Sequence, residues 1–255
     1  MENNLQTSQP PSQIEKPGLI SRLMMVFSEP SKLFGTLTGK TDWLIPLIIV
    51  GIIGGAIYYQ TRPIYADGME PAVMEILDSY QDRMPEAQYN RLVEDTKKKF
   101  DEARENPLLW YYPLIWFGLP FVFWLIISSI GMLSGNFIFG GKASFWIIMN
   151  VVAYAALVGF LGEIVRGIMM ILKDSMFVYT GLGLLKPAND GSFLHFLLRQ
   201  IDLFSIWRII VTGIGLGVVY NMKPKKFIIV LFIVWILFAL LVAGANLFTG
   251  GTIMY

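Results

Sequence analysis

The sequence predicts an all-α integral membrane protein: five transmembrane helices, an extramembrane α-hairpin between the first two, and short N-terminal interfacial helices. Three observations carry that reading. Of the 255 residues, 55% are hydrophobic and only 15% charged, where soluble domains are about 25% charged. The shortage is uneven, because long uncharged runs alternate with one polar section. At about 1.5 Å per helical residue, most of those runs reach across a hydrocarbon layer of ~30 Å.

The elements follow in chain order. Residues 1–17 are polar and proline-containing, with neither an apolar core nor a cleavage site, and read as a disordered tail instead of a signal peptide. Residues 18–42 read as interfacial amphipathic helices. In "LISRLMMVFSEPSKLFGTL", Leu19, Ile20, Leu23, Met24 and Phe27 share one helical face. Ser28-Glu29-Pro30 then stops that helix and starts a second carrying Leu33, Phe34 and Leu37. The apolar faces suit the membrane interface and equally suit packing on the protein's own spans. Span one covers 43–59 and is barely long enough to cross.

Residues 60–107 are polar and form an acidic extramembrane α-hairpin. Met69, Val73, Ile76, Leu77, Tyr80 and Met84 make one stripe; Tyr89, Leu92, Val93, Thr96, Phe100 and Ala103 make the other, with Pro85 placed to begin the second helix. Eleven acids, Asp67 to Glu105, face seven bases, Arg62 to Arg104. Span two, 108–133, is entered through the aromatic anchor "WYYP" (Trp110–Pro113), and Pro113 and Pro120 predict a bend. Span three covers 144–172. In the loop 173–202, "MFVYTGLGLL" (Met176–Leu185) is apolar but too short to span, so a re-entrant or interfacial segment is expected. Spans four and five cover 203–222 and 227–247. No internal repeat is evident, which weakens an inverted-repeat transporter.

Charge adds orientation. The N-terminal segment carries Lys16, Arg22, Lys32 and Lys40, and the turn "MKPKK" before span five carries Lys223, Lys225 and Lys226. Five spans put both on one side, which the positive-inside rule assigns to the cytoplasm. The net charge of +1 offers no field for nucleic acid, and the lack of cysteine removes disulfides, thiolate metal sites and cysteine nucleophiles.

Ionisable residues in or beside the spans are few. Glu163 and Arg166 lie three apart on span three; Asp202 and Arg208 lie at the entrance of span four, with Arg199 before them. Spans three and four meet the same membrane surface, so depth matches Glu163 with Arg208 and Arg166 with Asp202. An intramembrane charge cluster of these four is expected to clamp the helices, and losing one partner of a buried pair costs ~3–5 kcal/mol. A substrate or ion site and lipid-headgroup binding are the alternatives; against an ion pathway, spans one, two and five carry no charge to continue it. His195, the only histidine, is expected at the interface, and Ser128, Ser129, Ser144 and Ser205 have no evident base. No catalytic, cofactor or metal residue is assigned. Gly51 and Gly55, Gly131 and Gly135, and Gly213 and Gly217 have the spacing that lets helices approach closely. "GIGLG" (Gly213–Gly217) lies mid-span, which rules against a phosphate loop. Asn150 is placed to hydrogen-bond across helices.

From about Leu19 to Leu247 the chain resembles the Yip family, named for Ypt-interacting proteins. The carrying features are "FSEPSKLF", "WLIPL" at the first span, five spans, "GSFLHFLLRQIDLFSIWRIIVTGIGLG" through the fourth, and the basic turn before the fifth. "IDLFSIW" (Ile201–Trp207) is similar to the bacterial branch. The resemblance implies five spans, a cytoplasmic N-terminus and, for a bacterial member, the inner membrane. Eukaryotic relatives act in vesicle traffic with prenylated Rab GTPases. That role does not transfer, because their "DLYGP" motif has no match here. The resulting expectation is a non-enzymatic adaptor, or an assembly or regulatory partner, linked to membrane transport or trafficking. Its partners would be membrane lipids and another membrane protein or a second copy of itself. The alternative is a small channel or transporter with a polar site between spans three and four.

Overall fold

The computed structural model describes residues 17–106, 112–187 and 192–248. Residues 1–16 of the expected tail, and Trp110 and Tyr111 of the expected anchor, lie outside the described residues. The described residues form nine α-helices: α1 (Leu19–Ser28), α2 (Pro30–Thr36), α3 (Leu44–Asp78), α4 (Glu86–Glu105), α5 (Tyr112–Met132), α6 (Phe145–Lys173), α7 (Phe193–Arg199), α8 (Leu203–Tyr220) and α9 (Pro224–Phe248). Five are long and apolar enough to cross a membrane: α3, α5 with the turn after it, α6, α8 and α9.

The bundle is built around α6. Ile148, Val151, Ala153, Tyr154, Ala155 and Val158 on it are fully buried, and α3, α5 and α8 pack against it. Small residues along "VVAYAALVG" keep that helix slim enough for three neighbours. By contrast α9 leaves Ile229, Ile233, Leu237 and Leu241 exposed, as a lipid-facing helix does in a protein whose outer surface meets hydrocarbon.

At one face of the bundle, α2 seals the α6–α8 seam. Its Leu33 and Phe34 are buried, and Phe34 lies against Gly215. The stripe expected on α1 is divided: Leu23 and Phe27 pack half-buried on the core beside buried Met25 and Val26, while Ile20 and Met24 are 77% and 65% exposed. Packing on the spans therefore takes one side of α1, and a second apolar side stays open. Asn150 ties this layer to the core. Its Oδ1 accepts from Trp43 N at 2.9 Å and its Nδ2 donates to Gly39 O at 2.5 Å, holding the lead into α3 against α6. Arg22 and Asp42 pair beside it at 3.4 Å.

At the opposite face, α3 does not stop near Tyr59, where the apolar pattern ends. It continues through Pro63 and Pro71 to Asp78, so the first arm of the hairpin is the extension of the first span. Thr61, one turn after Ile57, donates its hydroxyl to Ile57 O at 3.0 Å just ahead of Pro63. The second arm, α4, contains no buried residue, and it is held by half-buried Val93, Thr96 and Phe100 together with polar contacts. Arg104 donates to Asp67 at 2.6 Å, to Asp101 at 2.9 Å and to Glu70, while Tyr89 donates to Asp78 at 2.6 Å. Arg62 reaches Asn106 O at 2.8 Å and closes the base.

The α5–α6 turn begins with a π-helical stretch, Leu133–Ile138. This wider coil lets Tyr220 lie against Gly135 and Gly141. Asn136 then staples the turn with two hydrogen bonds to Ala143, at 3.1 and 3.2 Å. Successive antiparallel helices thus put α1, α2 and the α5–α6 and α8–α9 turns at one face. The hairpin and residues 174–187 and 192–202 stand at the other.

Candidate functional site

On the hairpin face, α5, α6 and the entry to α8 part around a cavity of about 680 Å³. All four residues of the expected charge cluster line it, joined by Arg199, Gln200, Tyr179 and Thr180. The pairing inside it differs from the depth-matched clamp. Arg166 Nη1 stands 4.0 Å from Glu163 Oε2 on its own helix, and Arg166 Nε donates to Val178 O at 3.4 Å. Asp202 Oδ1 accepts from the backbone N–H groups of Phe204 and Ser205 at 2.8 and 3.0 Å, which makes it the N-cap of α8. Among the described residues no ion pair joins Glu163 to Arg208 or Arg166 to Asp202. The first turn of a helix has N–H groups without intrahelical partners, and they claim the Asp202 carboxylate. Glu163, with its side chain 66% exposed, takes the neighbour one turn along instead.

Arg208 is held differently. Gly159 on α6 leaves room for its stem: a methyl group there would stand 2.9 Å from Arg208 Cδ. The guanidinium lies over the Phe123 ring, 5.7 Å from its centroid. Five residues in from Leu203, Arg208 is about 7.5 Å below the start of α8. It is also a wall of a second cavity of about 350 Å³, which runs sideways among α5, α8 and α9 and is lined mainly by apolar residues such as Ile126, Ile130, Leu231 and Trp235.

The floor of the site comes from the loop. Residues 176–185, expected as re-entrant or interfacial, lie along the rim: Met176 and Val178 are buried against Ile64, Tyr65 and Met69 of α3, and Leu184 and Leu185 are exposed. Gly181 forms an antiparallel bridge with Asp202, and Leu182 N donates to Ile201 O at 2.9 Å. A side chain at 181 would run into Ile201 O and the Asp202 backbone, so the strand-like approach needs glycine. Arg199 lies over the rings of Tyr179 and Phe196, at 5.1 and 5.9 Å.

His195, expected at the interface, is only 1% exposed. It sits in α7, which packs on α9, with its ring edge-on to Tyr179 at 5.4 Å. The sequence reading left residues 193–199 in the loop 173–202; Ser192, which caps α7 by accepting from His195 N at 3.2 Å, is the signal of a helix there. Among the described residues no three His, Asp or Glu side chains gather as a metal site.

Toward the other face the bundle closes. Phe139 and Tyr220 pack on buried Phe227 at 5.3 and 5.2 Å, and a methyl group at Gly131 would stand 3.4 Å from Leu216 and 3.2 Å from Ile148. The remaining glycines take part unevenly. Gly51 faces Phe117, Gly135 faces Tyr220, Gly213 faces Ile228 and Gly217 faces Pro224. A methyl group at Gly55 would meet nothing within 4 Å; at Gly54 it would stand 2.8 Å from the Trp116 ring. The small-residue spacing does not reveal which side of α3 meets α5.

A family model, that of the Yip1 domain, matches residues 24–245. No curated protein and no solved structure matches the chain.

Proposed function

The chain belongs to the Yip1 domain family, and from that membership we propose that it is a non-enzymatic membrane adaptor, or an assembly or regulatory partner, acting on other membrane proteins or on lipids in membrane transport or trafficking. The observation that supports this reading is the one-sidedness of its site. A cavity with charged walls opens beside the hairpin, while Phe139, Tyr220 and Phe227 fill the opposite end. Such a chamber can hold a headgroup or a partner's side chain and gives it no way through. The lipid-exposed faces of α5 and α9 offer surface for a second membrane protein or a second copy.

We place the protein in a bacterial inner membrane with its N-terminus in the cytoplasm. Lys142 joins Arg22, Lys32, Lys40, Lys223, Lys225 and Lys226 at the α1–α2 face, a basic excess that supports this orientation. Crosslinking in native membranes followed by mass spectrometry tests the adaptor reading. Crosslinks from the hairpin or cavity rim to other membrane proteins are expected, and recovery of self-crosslinks alone counts against it.

The polar walls between α6 and α8 favour a second reading, a small channel or transporter. It requires a state in which the Phe139–Tyr220–Phe227 plug parts.

A further inference from the structure

We propose that the two adjoining cavities are one binding site for an anionic phospholipid, with its phosphate on Arg208 and Arg166 and an acyl chain in the chamber among α5, α8 and α9. This deepens the adaptor reading and rests on it, by naming the lipid class that the site would take. Three observations converge. First, among the described residues the charged walls bring the Arg166 and Arg208 guanidinium groups to one chamber, where the Asp202 carboxylate is taken up as the N-cap of α8.

Second, the Arg208 guanidinium has a ring face for company and, among the described residues, neither a hydrogen bond nor an ion pair. Its planar fork of donors suits a phosphate oxygen pair, and basic pockets between transmembrane helices suit anionic headgroups. Third, the chamber beyond it is apolar and shares the walls Phe123, Trp124, Ala156, Gln200, Ser205 and Arg208 with the charged cavity. Ile126 and Phe238 at its margin are both exposed on the lipid-facing surface, so a chain can enter from the bilayer. A free phosphate would use the arginines and leave the chamber unexplained. An amphiphile uses both.

The test is native mass spectrometry of the full chain in mild detergent after equilibration with vesicles of phosphatidylglycerol and phosphatidylcholine in equal parts. Phosphatidylglycerol should be retained over phosphatidylcholine by at least about tenfold. Arg208→Gln should bring the ratio near unity, and Arg208→Lys should fall between. Excess inorganic phosphate should not displace the lipid. Val234→Trp, which fills the chamber, should release the long-chain lipid and keep binding of a short-chain phosphatidylglycerol. Equal retention of the two lipids, an unchanged ratio in Arg208→Gln, or displacement by inorganic phosphate overturns the site. If Arg208→Gln fails to fold, full long-chain retention by Val234→Trp overturns it instead. Loss of lipid selectivity in membranes that still yield partner crosslinks rejects this site alone. Selectivity without partner crosslinks supports the site and rejects only the adaptor reading.

Discussion

Gly159 and Arg208 illustrate how single residues shape this site, since a hydrogen in place of a methyl lets a charged side chain cross the face of α6. The same geometry grades the glycines. Gly135→Ala would drive a methyl into the Tyr220 ring, and in a close-packed interior such overpacking costs about 1–3 kcal/mol. Gly55→Ala meets open space and should be neutral or stabilise by about 0.5–1 kcal/mol, because alanine is the better helix former. Thermal unfolding of the two variants in one detergent checks the contrast, and equal effects would contradict it. Asn150 is a second case. Asn150→Ala strands Trp43 N and Gly39 O, so a loss of roughly 1–3 kcal/mol is expected in the same assay. Part of this was legible in the residues: a lone amide in an apolar span needs partners. The Asp202 cap was legible too, since an aspartate directly before the apolar run "LFSIW" is a helix-start signal. Depth-matching of charges misled because it considered only other side chains as partners, and the nearest donors were backbone.

At the scale of elements, the number and order of the spans followed from apolar run length, whereas their ends did not. α3 outlasts its apolar run by nearly twenty residues because its polar continuation is stabilised by α4 and not by lipid. Pro63 and Pro71 lie inside this helix, where proline ordinarily breaks or kinks it, and packing against α4 outweighs that preference. The hairpin has no buried residue in α4, and its cohesion rests on Arg104 with its three carboxylates and on Tyr89 with Asp78. Arg104→Gln should therefore raise hydrogen exchange in the last turns of α4 and leave α6 untouched; unchanged exchange would contradict this. Tyr89 gives a pH signature. Its hydrogen bond to the Asp78 carboxylate raises the phenol above 10. A phenol with a raised folded value contributes stability that is complete below the ordinary tyrosine range and is lost as pH climbs through the raised value. A Tyr89 ring signal, identified by its disappearance in Tyr89→Phe, should titrate above the free phenol in tyrosine-resolved NMR. An ordinary titration would remove that hydrogen bond from the account.

For the whole molecule, the placement of polar and plugged ends decides between holding and conducting. Antiparallel order puts the cavity beside the hairpin and the aromatic plug beside α2 and the basic turns. The charged end was legible in Glu163, Arg166, Asp202 and Arg208, but the plugged end was not, because Phe139, Tyr220 and Phe227 come from three separate segments and carry no motif. The absence of cysteine in the chain makes single-cysteine labelling clean. With the N-terminus inside, Asn90→Cys on α4 should react with a membrane-impermeant maleimide in intact cells, and Lys225→Cys only after permeabilisation. The reverse pattern would invert the orientation. Ser205, which lines both cavities, gives the most direct test of a one-sided site. Ser205→Cys should be labelled from the hairpin side alone, in resting and energised membranes alike. Labelling from both sides would show that the plug opens and that the protein conducts.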